Sequence, residues 1–218
     1  MLEQTFLFAD LAGFTAMTEV HGDVVAADAV SDFCRGVRGL LPEFEAEEIK
    51  SIGDAVMVRV PEASPAIELA VRLIGEVGTR HGSLAVRVGA HTGPAVHREG
   101  DWFGAAVNLA ARVAGAAERG ELLITEVTRT AAGGALAAYQ VERRPDQIFK
   151  NITEPVTLYA LILASQPHVA NLPSDPVCRM AVDPSESDER RTYNGVDVYL
   201  CSAECAAVFD RHPERYAE

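Results

Sequence analysis

Two aspartates stand at places in the chain where a carboxylate can hold a metal ion. Asp10 follows the apolar run 4–9, which has the character of a strand, and Asp54 follows the turn 51–53 of a predicted hairpin. Hard carboxylate oxygens are the ligands that Mg²⁺ takes when it also holds phosphates. The pair therefore predicts two Mg²⁺ (or Mn²⁺) ions that clamp the attacking and leaving oxygens of a displacement at phosphorus. Taken singly, each aspartate is equally typical of a helix cap or a turn.

Four further polar residues form a second set. Asn108 and Arg112 are four apart on a helix predicted at about 104–116, which places them on one face. Lys50 can only donate hydrogen bonds, and an ionised Asp101 can only accept them. Adenine offers an acceptor at N1 and a donor at its 6-amino group, so this pair complements adenine, whereas guanine presents the reverse. Considered alone, these residues are also typical of an exposed helix face and of solvated surface charges.

Strands and helices must position these residues, and hydrophobic periodicity predicts their order. Gly13 and Thr15 make a turn into a helix, where free backbone amides can face an anion. The order indicates an α+β fold with a split βαβ arrangement, in which helices cover one face of a mixed sheet. Strands are expected at 4–9, 47–50, 54–60, 84–91, 120–125 and 155–163, and helices at 24–44, 64–77, 104–116 and 126–132.

Length and composition limit the class of protein. The 218 residues allow one full domain plus a small module. The chain lacks the features of a signal peptide and any apolar run near the roughly 18 to 20 residues of a membrane span. A cytoplasmic protein with no membrane partner is therefore expected. The net charge of −13 argues against a nucleic acid polymer as partner, because such binding requires a basic surface.

Three separated motifs resemble, in this order, those of the class III nucleotidyl cyclases. They are FADLAGFT at 8–15, KSIGD at 50–54 and DWFGAAVNLAAR at 101–112. The resemblance covers residues 4–163, and the lack of a long insertion at 91–101 is similar to the soluble, short-armed bacterial subgroup. It implies a ferredoxin-like βααββαβ cyclase fold, which has a mixed and mostly antiparallel sheet.

The same resemblance implies an adenylate cyclase, which converts ATP into cyclic AMP and pyrophosphate in active sites shared by a homodimer. Two alternatives stay open: a guanylate cyclase, and a catalytically idle cyclase fold that serves as a metal-responsive binding module. The roles that the resemblance implies are metal binding by Asp10 and Asp54, base recognition by Lys50 and Asp101, ribose orientation by Asn108, transition-state stabilisation by Arg112, and triphosphate contacts by Gly13, Phe14, Thr15 and Lys150.

The C-terminal residues carry a separate cysteine motif. Cys178, Cys201 and Cys205 lie in DPVCRMAVD and YLCSAECAAVFDRHPERY, which resemble the YHS (TRASH-like) domain of metal-handling proteins. A β-hairpin turn at 193–195 and a following helix are expected there. Three thiols could bind Zn²⁺ or Cu⁺ and let the tail regulate the cyclase, although no fourth ligand is evident. The alternative is a small reduced module whose cysteines only pack.

The predicted domain organisation follows from these two resemblances and from the composition between them. We expect a cyclase domain at 1–163 and a YHS-like domain at 176–218. The stretch 164–175 is rich in proline and polar residues and has little periodicity, so it is predicted to be a linker.

Overall fold

The computed structural model describes residues 3–78, 82–163 and 172–216. The C-terminal part contains β10 (Glu189–Tyr193), β11 (Val196–Leu200) and α5 (Ala203–Arg211). The elements before it are, in chain order, β1 (Glu3–Leu11), α1 (Phe14–Leu40), β2 (Glu47–Ile52), β3 (Ala55–Val60), α2 (Ala63–Arg72), β4 (Val86–Pro94), β5 (Val96–Arg98), β6 (Asp101–Phe103), α3 (Ala105–Ala116), β7 (Leu122–Thr125), α4 (Glu126–Ala132), β8 (Gln140–Arg143) and β9 (Leu158–Ile162).

A seven-stranded sheet forms the centre of the larger part, with the order β2-β3-β1-β4-β7-β9-β8. Strands β4 and β7 pair in parallel, and every other neighbouring pair in this order is antiparallel. The predicted α+β class with a mixed, mostly antiparallel sheet is confirmed.

Helices cover both faces of this sheet. Leu7 and Ala9 of β1 belong to the core cluster that α1 and α2 share, whereas Phe6 packs with Ala106 and Ala110 of α3. Successive side chains of a strand point to opposite faces, so α3 lies on the face opposite to α1 and α2. The prediction of helices on one face is wrong, because periodicity identifies the apolar side of a helix but not the sheet face that receives it.

Helix α1 begins at Phe14, where Gly13 and Thr15 were predicted to turn into a helix, and it runs on into the helix predicted at 24–44. The sequence did not predict that residues 14–23 belong to that helix. Its first turns contain the polar residues Thr15, Thr18 and Glu19, which hide the helical pattern even though Met17 is fully buried. Gly22 interrupts the helix with φ 78° and ψ 174°, a left-handed φ that favours glycine. α1 therefore consists of two helical segments, and the predicted end at 44 is a short 3₁₀ turn at Leu41–Phe44.

Two features of the sheet region were not predicted. They are the hairpin of β5 and β6, which pair antiparallel, and the strand β8 at the edge of the sheet. These strands are three or four residues long and mostly exposed, so they offer little of the apolar alternation on which strand prediction depends.

The C-terminal part is a hairpin followed by a helix. Asn194 and Gly195 have φ of 50° and 80°, as the two-residue turn of such a hairpin requires. Ser202 caps α5 by accepting a hydrogen bond from the amide of Cys205. Of the predicted linker at 164–175, residues 164–171 lie outside the described residues. Within the described ranges, no helix combines the length and the apolarity that crossing a membrane requires.

His91 should make the stability of the fold depend on pH. It is buried on β4, its Nδ1 lies 2.8 Å from Thr125 Oγ1, and burial lowers its pKa from 6.5 to about 4. The unfolded chain therefore binds the proton more readily. We expect the free energy of unfolding to fall as the pH drops from 6.5 to 4, with a contribution from His91 of at most about 3 kcal/mol.

Urea unfolding at pH 7 and pH 5 measures this effect. In His91→Asn the loss between the two pH values should shrink, whereas the exposed His97→Asn should keep it. Equal losses in His91→Asn and the unmodified protein would contradict the assignment.

Candidate active site and cysteine cluster

The register of the sheet brings Asp10 and Asp54 together. Asp10, near the end of β1, pairs with Ala55 of β3, and Asp54 is the residue just before Ala55. Burial, then the charge of Asp10 and a hydrogen bond with it, raises the pKa of Asp54 to about 6. Two adjacent carboxylates repel each other unless a proton or a cation lies between them. This oxygen donor set fits a divalent cation of the Mg²⁺ type.

Arg87 is a neighbour of this pair that the sequence analysis missed. Asp10 pairs with Arg87 across β1 and β4, and Arg87 Nε donates a hydrogen bond of 2.8 Å to Asp10 Oδ2. A second guanidinium nitrogen, Nη2, contacts the same oxygen. The available signal was a charged residue in the middle of the apolar run 84–90, where an arginine needs a specific partner.

Lys50 and Asp101 contact each other. Lys50 Nζ donates a hydrogen bond of 2.6 Å to Asp101 Oδ2, and the Trp102 amide donates one of 2.8 Å to Oδ1. These two hydrogen bonds, with that of Lys50 the larger cause, lower the pKa of Asp101. Lys50 pairs with Met57, which packs on the α3 side of the sheet. The predicted donor and acceptor thus lie side by side on the sheet face that carries α3.

Asn108 and Arg112 both lie on α3, the helix for which their spacing predicted a shared face, and both are exposed. The opposite side of α3 packs on the sheet through Ala106, Ala110 and Val113. The contact is close: a Cβ added to Gly89 of β4 would lie 2.0 Å from the backbone nitrogen of Ala114. The lack of a side chain at this position sets how near α3 can approach β4.

The remaining predicted contacts are at two separate places. Gly13, with φ 94°, ends the loop after β1, and α1 begins at Phe14, so the first amides of α1 lie beyond the strand end that carries Asp10. Lys150 is exposed in the loop between β8 and β9. Strands β4 and β7 separate β9 from β1, so the sheet order does not bring Lys150 beside Asp10 within one chain.

The three predicted cysteines form a cluster, and a histidine from the larger part of the chain joins them. Cys201 Sγ lies 3.4 Å from Cys178 Sγ and 3.6 Å from Cys205 Sγ. His21 Nε2 lies 3.5 Å from Cys201 Sγ and 3.6 Å from Cys205 Sγ. Hydrogen bonds with the thiols of Cys178 and then Cys205 lower the pKa of Cys201. Sequence reasoning missed His21 because it lies 180 positions from Cys201 in a helix of the other part.

Comparison with protein families identifies both parts of the chain. The adenylate and guanylate cyclase catalytic domain matches residues 3–162, and the YHS domain matches residues 174–218. The chain therefore belongs to the adenylate and guanylate cyclase catalytic domain family and carries a C-terminal YHS domain.

Individual relatives agree with this family. A pH-sensitive adenylate cyclase of Mycobacterium tuberculosis is 39% identical over 134 residues, which are 60% of this chain and 33% of that protein. An adenylate cyclase of Streptomyces griseus is 34% identical over 117 residues, covering 54% of this chain and 29% of that protein. The chain thus spans about a third of the length of these curated relatives.

A solved structure agrees as well. An adenylate cyclase of Trypanosoma brucei in its monomeric state has 25% identity and a TM-score of 0.66, covering 77% of this chain and 91% of that one.

Gly89→Ala should destabilise the protein and displace α3. The added methyl meets the backbone of Ala114, which cannot rotate away as a flexible side chain can. We expect the free energy of unfolding to fall by at least about 2 kcal/mol.

Gly115→Ala is the matched control for this change. Gly115 lies on α3, the helix that Gly89 contacts, and no neighbouring atom lies within 4 Å of the added methyl. The change should therefore be neutral or stabilise by up to about 1 kcal/mol. Urea denaturation of both variants measures the difference, and equal stabilities would show that the β4–α3 contact is not tight.

Proposed function

We propose that this protein is an adenylate cyclase that converts ATP into 3′,5′-cyclic AMP and pyrophosphate. The observation that carries the proposal is the adjacency of the Asp10 and Asp54 carboxylates, which the pairing of β1 with β3 produces. The names of the relatives from M. tuberculosis and S. griseus support the same activity.

Each site residue has a separate role in the proposed reaction. The 3′ oxygen of the ribose forms a bond to the α-phosphorus, and the bond from that phosphorus to the oxygen bridging the α- and β-phosphates breaks. Pyrophosphate leaves with the electron pair of that bond, and the 3′ hydroxyl proton passes to water. Asp10 and Asp54 would hold two Mg²⁺ or Mn²⁺ ions. These ions supply charge neutralisation at the attacking and leaving oxygens. Arg112 stabilises the charge that develops on the phosphate, and Asn108 orients the ribose.

The triphosphate has its own contacts in this proposal. The backbone amides of Gly13, Phe14 and Thr15 face the phosphates at the start of α1, where the helix dipole favours an anion. Arg87 bonds to Asp10, and in this proposal its guanidinium also contacts a phosphate oxygen. Since the sheet order keeps Lys150 away from Asp10 within one chain, Lys150 would reach this triphosphate from the second chain of a dimer.

Base selection rests on Lys50 and Asp101. In this structure Lys50 and Asp101 form an ion pair with each other, and their side chains are 38% and 28% exposed. A partly exposed ion pair of this kind contributes little stability, so adenine can separate the pair without a large cost. Lys50 then donates to N1 of the base, and Asp101 accepts from its 6-amino group. Guanine would instead place a donor opposite Lys50 and an acceptor opposite Asp101.

A homodimer with shared sites completes the proposal. Asn108 and Arg112 are exposed on α3, and the apolar side chains of Ile52 and Phe103 beside Lys50 are 61% and 52% exposed. A second copy covering this face would bury those apolar groups and bring its Arg112 to the Asp10–Asp54 pair. Each active site would then contain residues of both chains.

Turnover of ATP and GTP by the pure protein, with Mg²⁺ or Mn²⁺, tests the activity and the base preference together. We expect cyclic AMP and a preference for ATP of at least about tenfold, because a polar group facing the wrong base edge is left unpaired. Lys50→Glu should lose most of that preference. Arg35→Glu, a charge reversal on the exposed side of α1, should keep it.

Cyclic GTP as the main product would make the protein a guanylate cyclase. A lack of product with either metal ion, over a range of protein concentrations, would leave a cyclase fold that acts as a binding module.

Complementation tests the shared sites. Asp10→Ala and Arg112→Ala should each be inactive as homodimers. A heterodimer of the two has one intact site of two, so a statistical mixture should regain about a quarter of the unmodified rate.

The matched control mixes Asp10→Ala with Asp54→Ala, which damage the same half of each site and should stay inactive. Heterodimers are verified by two different affinity tags. Verified heterodimers of Asp10→Ala and Arg112→Ala that stay inactive would rule out the shared arrangement.

A further inference from the structure

We propose that His21 and the three tail cysteines form one Zn²⁺ site that joins the YHS domain to helix α1 of the cyclase domain. The ligand atoms of His21, Cys178, Cys201 and Cys205 all lie within 4.8 Å of one another. Three ligands come from the tail, and the fourth comes from the cyclase domain. The metal would therefore be a link between domains in addition to a stabiliser of the tail.

Four of the six distances between these ligand atoms are close to those around a tetrahedral ion. With Zn–S near 2.3 Å and Zn–N near 2.05 Å, a tetrahedron separates two sulfurs by about 3.8 Å and a sulfur from a nitrogen by about 3.6 Å. Cys201 Sγ lies 3.4 Å from Cys178 Sγ and 3.6 Å from Cys205 Sγ, and His21 Nε2 lies 3.5 Å and 3.6 Å from the sulfurs of Cys201 and Cys205. The other two pairs of ligand atoms lie within 4.8 Å. These sulfur separations are too long for a disulfide bond, and all three cysteines are free.

The ligand types favour Zn²⁺. Three thiolates and one imidazole are a frequent set for structural zinc, which takes mixed sulfur and nitrogen ligands in a closed tetrahedron. Cu⁺ is also held by thiolates, but a soft ion gains less from the imidazole of His21. The dependence of metal affinity on His21 therefore separates the two ions.

A buried carboxylate holds the cysteines in place. Asp175 is fully buried, and its two oxygens accept hydrogen bonds of 2.7 Å from the Val177 amide and 2.8 Å from the Cys201 amide. The Cys178 amide also donates to it, at 3.3 Å. One side chain thus fixes two segments that are 23 positions apart and that each carry a ligand. Ligands positioned in this way lose less conformational freedom when a metal binds.

The tail is already docked beside the site. The Gly82 amide donates a hydrogen bond of 2.9 Å to the Ala181 carbonyl, and the Ala181 amide donates one of 2.8 Å to the Ser83 carbonyl. Arg119, after α3, donates to Ser174 and to the Arg179 carbonyl. These contacts lie within the described residues on either side of 164–171, and they place Cys178 against the cyclase domain.

The tail contacts the first segment of α1 at both of its ends. His21 is the last residue before the interruption at Gly22. At the other end, a Cβ added to Gly13 would lie 2.5 Å from Arg179 Cβ, so the residue next to Cys178 packs directly on Gly13. A metal bound to Cys178 and His21 therefore fixes the segment 13–21 between two points of the tail.

The consequence for catalysis rests on the proposed function. If the amides of 13–15 hold the triphosphate, then the order of this segment sets how well the phosphates are positioned. Metal loading would change the turnover rate through the backbone of α1, with no contact between the zinc and the nucleotide.

Metal binding is tested first, on the full chain under reducing conditions after removal of metal with a chelator. Zn²⁺ affinity and stoichiometry are measured in a chelator buffer, and Co²⁺ replaces Zn²⁺ for absorption spectra. We expect one ion per chain and the intense d–d bands of four-coordinate Co²⁺. His21→Ala should weaken Zn²⁺ binding at least about tenfold and alter those bands. The metal-free variant should unfold at the same urea concentration as the metal-free unmodified protein.

Two control variants match these changes. His212→Ala removes an exposed histidine of the tail, and Cys34→Ser removes a cysteine of α1 outside the cluster, so both should bind Zn²⁺ normally. Unchanged Zn²⁺ affinity and an unchanged Co²⁺ spectrum in His21→Ala would overturn the proposal. The proposal would also be overturned if Zn²⁺ bound weakly while Cu⁺ bound tightly and with the same affinity in His21→Ala as in the unmodified protein.

Hydrogen exchange tests whether the metal joins the domains. Zn²⁺ should slow amide exchange both in the tail and in residues 14–24 of the unmodified protein. In His21→Ala any slowing should be confined to the tail. Slowing confined to the tail in the unmodified protein would refute the link to α1.

Turnover is measured last, with free Zn²⁺ held by the buffer at a level that fills only this site. The loaded and metal-free forms should differ at least about threefold, and the difference should vanish in His21→Ala. Equal rates with and without Zn²⁺ would refute the coupling to catalysis. If no form makes cyclic AMP while the metal and exchange results hold, the proposed function fails and the metal site stands.

Discussion

The antiparallel pairing of β1 with β3 and β4 is the constraint on which the rest of the site depends. It places Asp10 between Ala55 on one side and Arg87 on the other, and therefore next to Asp54 in the β2–β3 turn. A shift of one residue in this register would turn Asp10 to the opposite face, among the apolar side chains under α1 and α2. Such a shift would also exchange the buried side chains of β1 between the two packed faces of the sheet, which differ in the helices that cover them.

The sequence predicted much of the fold because its strong signals are local. The turn at 53–54 of the β2–β3 hairpin, the helix α3 and the helix α4 agree with the prediction to within about two residues, an ordinary uncertainty for element ends. The polar residues singled out at Lys50 and Asp101 are in contact in the structure. The two residues are 51 positions apart in the sequence, so hydrophobic periodicity could not predict their contact. Only the resemblance of the motifs around them assigned both residues to one site.

The parts that were missed depend on contacts between distant segments. Arg87 has significance only because β1 lies beside β4, and His21 only because the tail packs on α1. A histidine among polar residues of an exposed helix resembles any solvated side chain until its neighbours are known. The continuity of residues 14–23 with the helix predicted at 24–44 was missed for a related reason, since Met17 is the only fully buried residue in the first two turns of α1.

The two outer strands of the central sheet restrict how copies of the chain can associate. β2 and β8 end the strand order, and an unpaired strand edge is a template for joining another sheet. β2 carries Glu47 and Glu48, the latter paired with Arg38, and β8 carries Glu142 and Arg143. Charged edges of this kind disfavour the extension of one sheet into another molecule. Self-association is thereby directed away from open-ended stacking of strands and toward closed assemblies that use the faces of the domain.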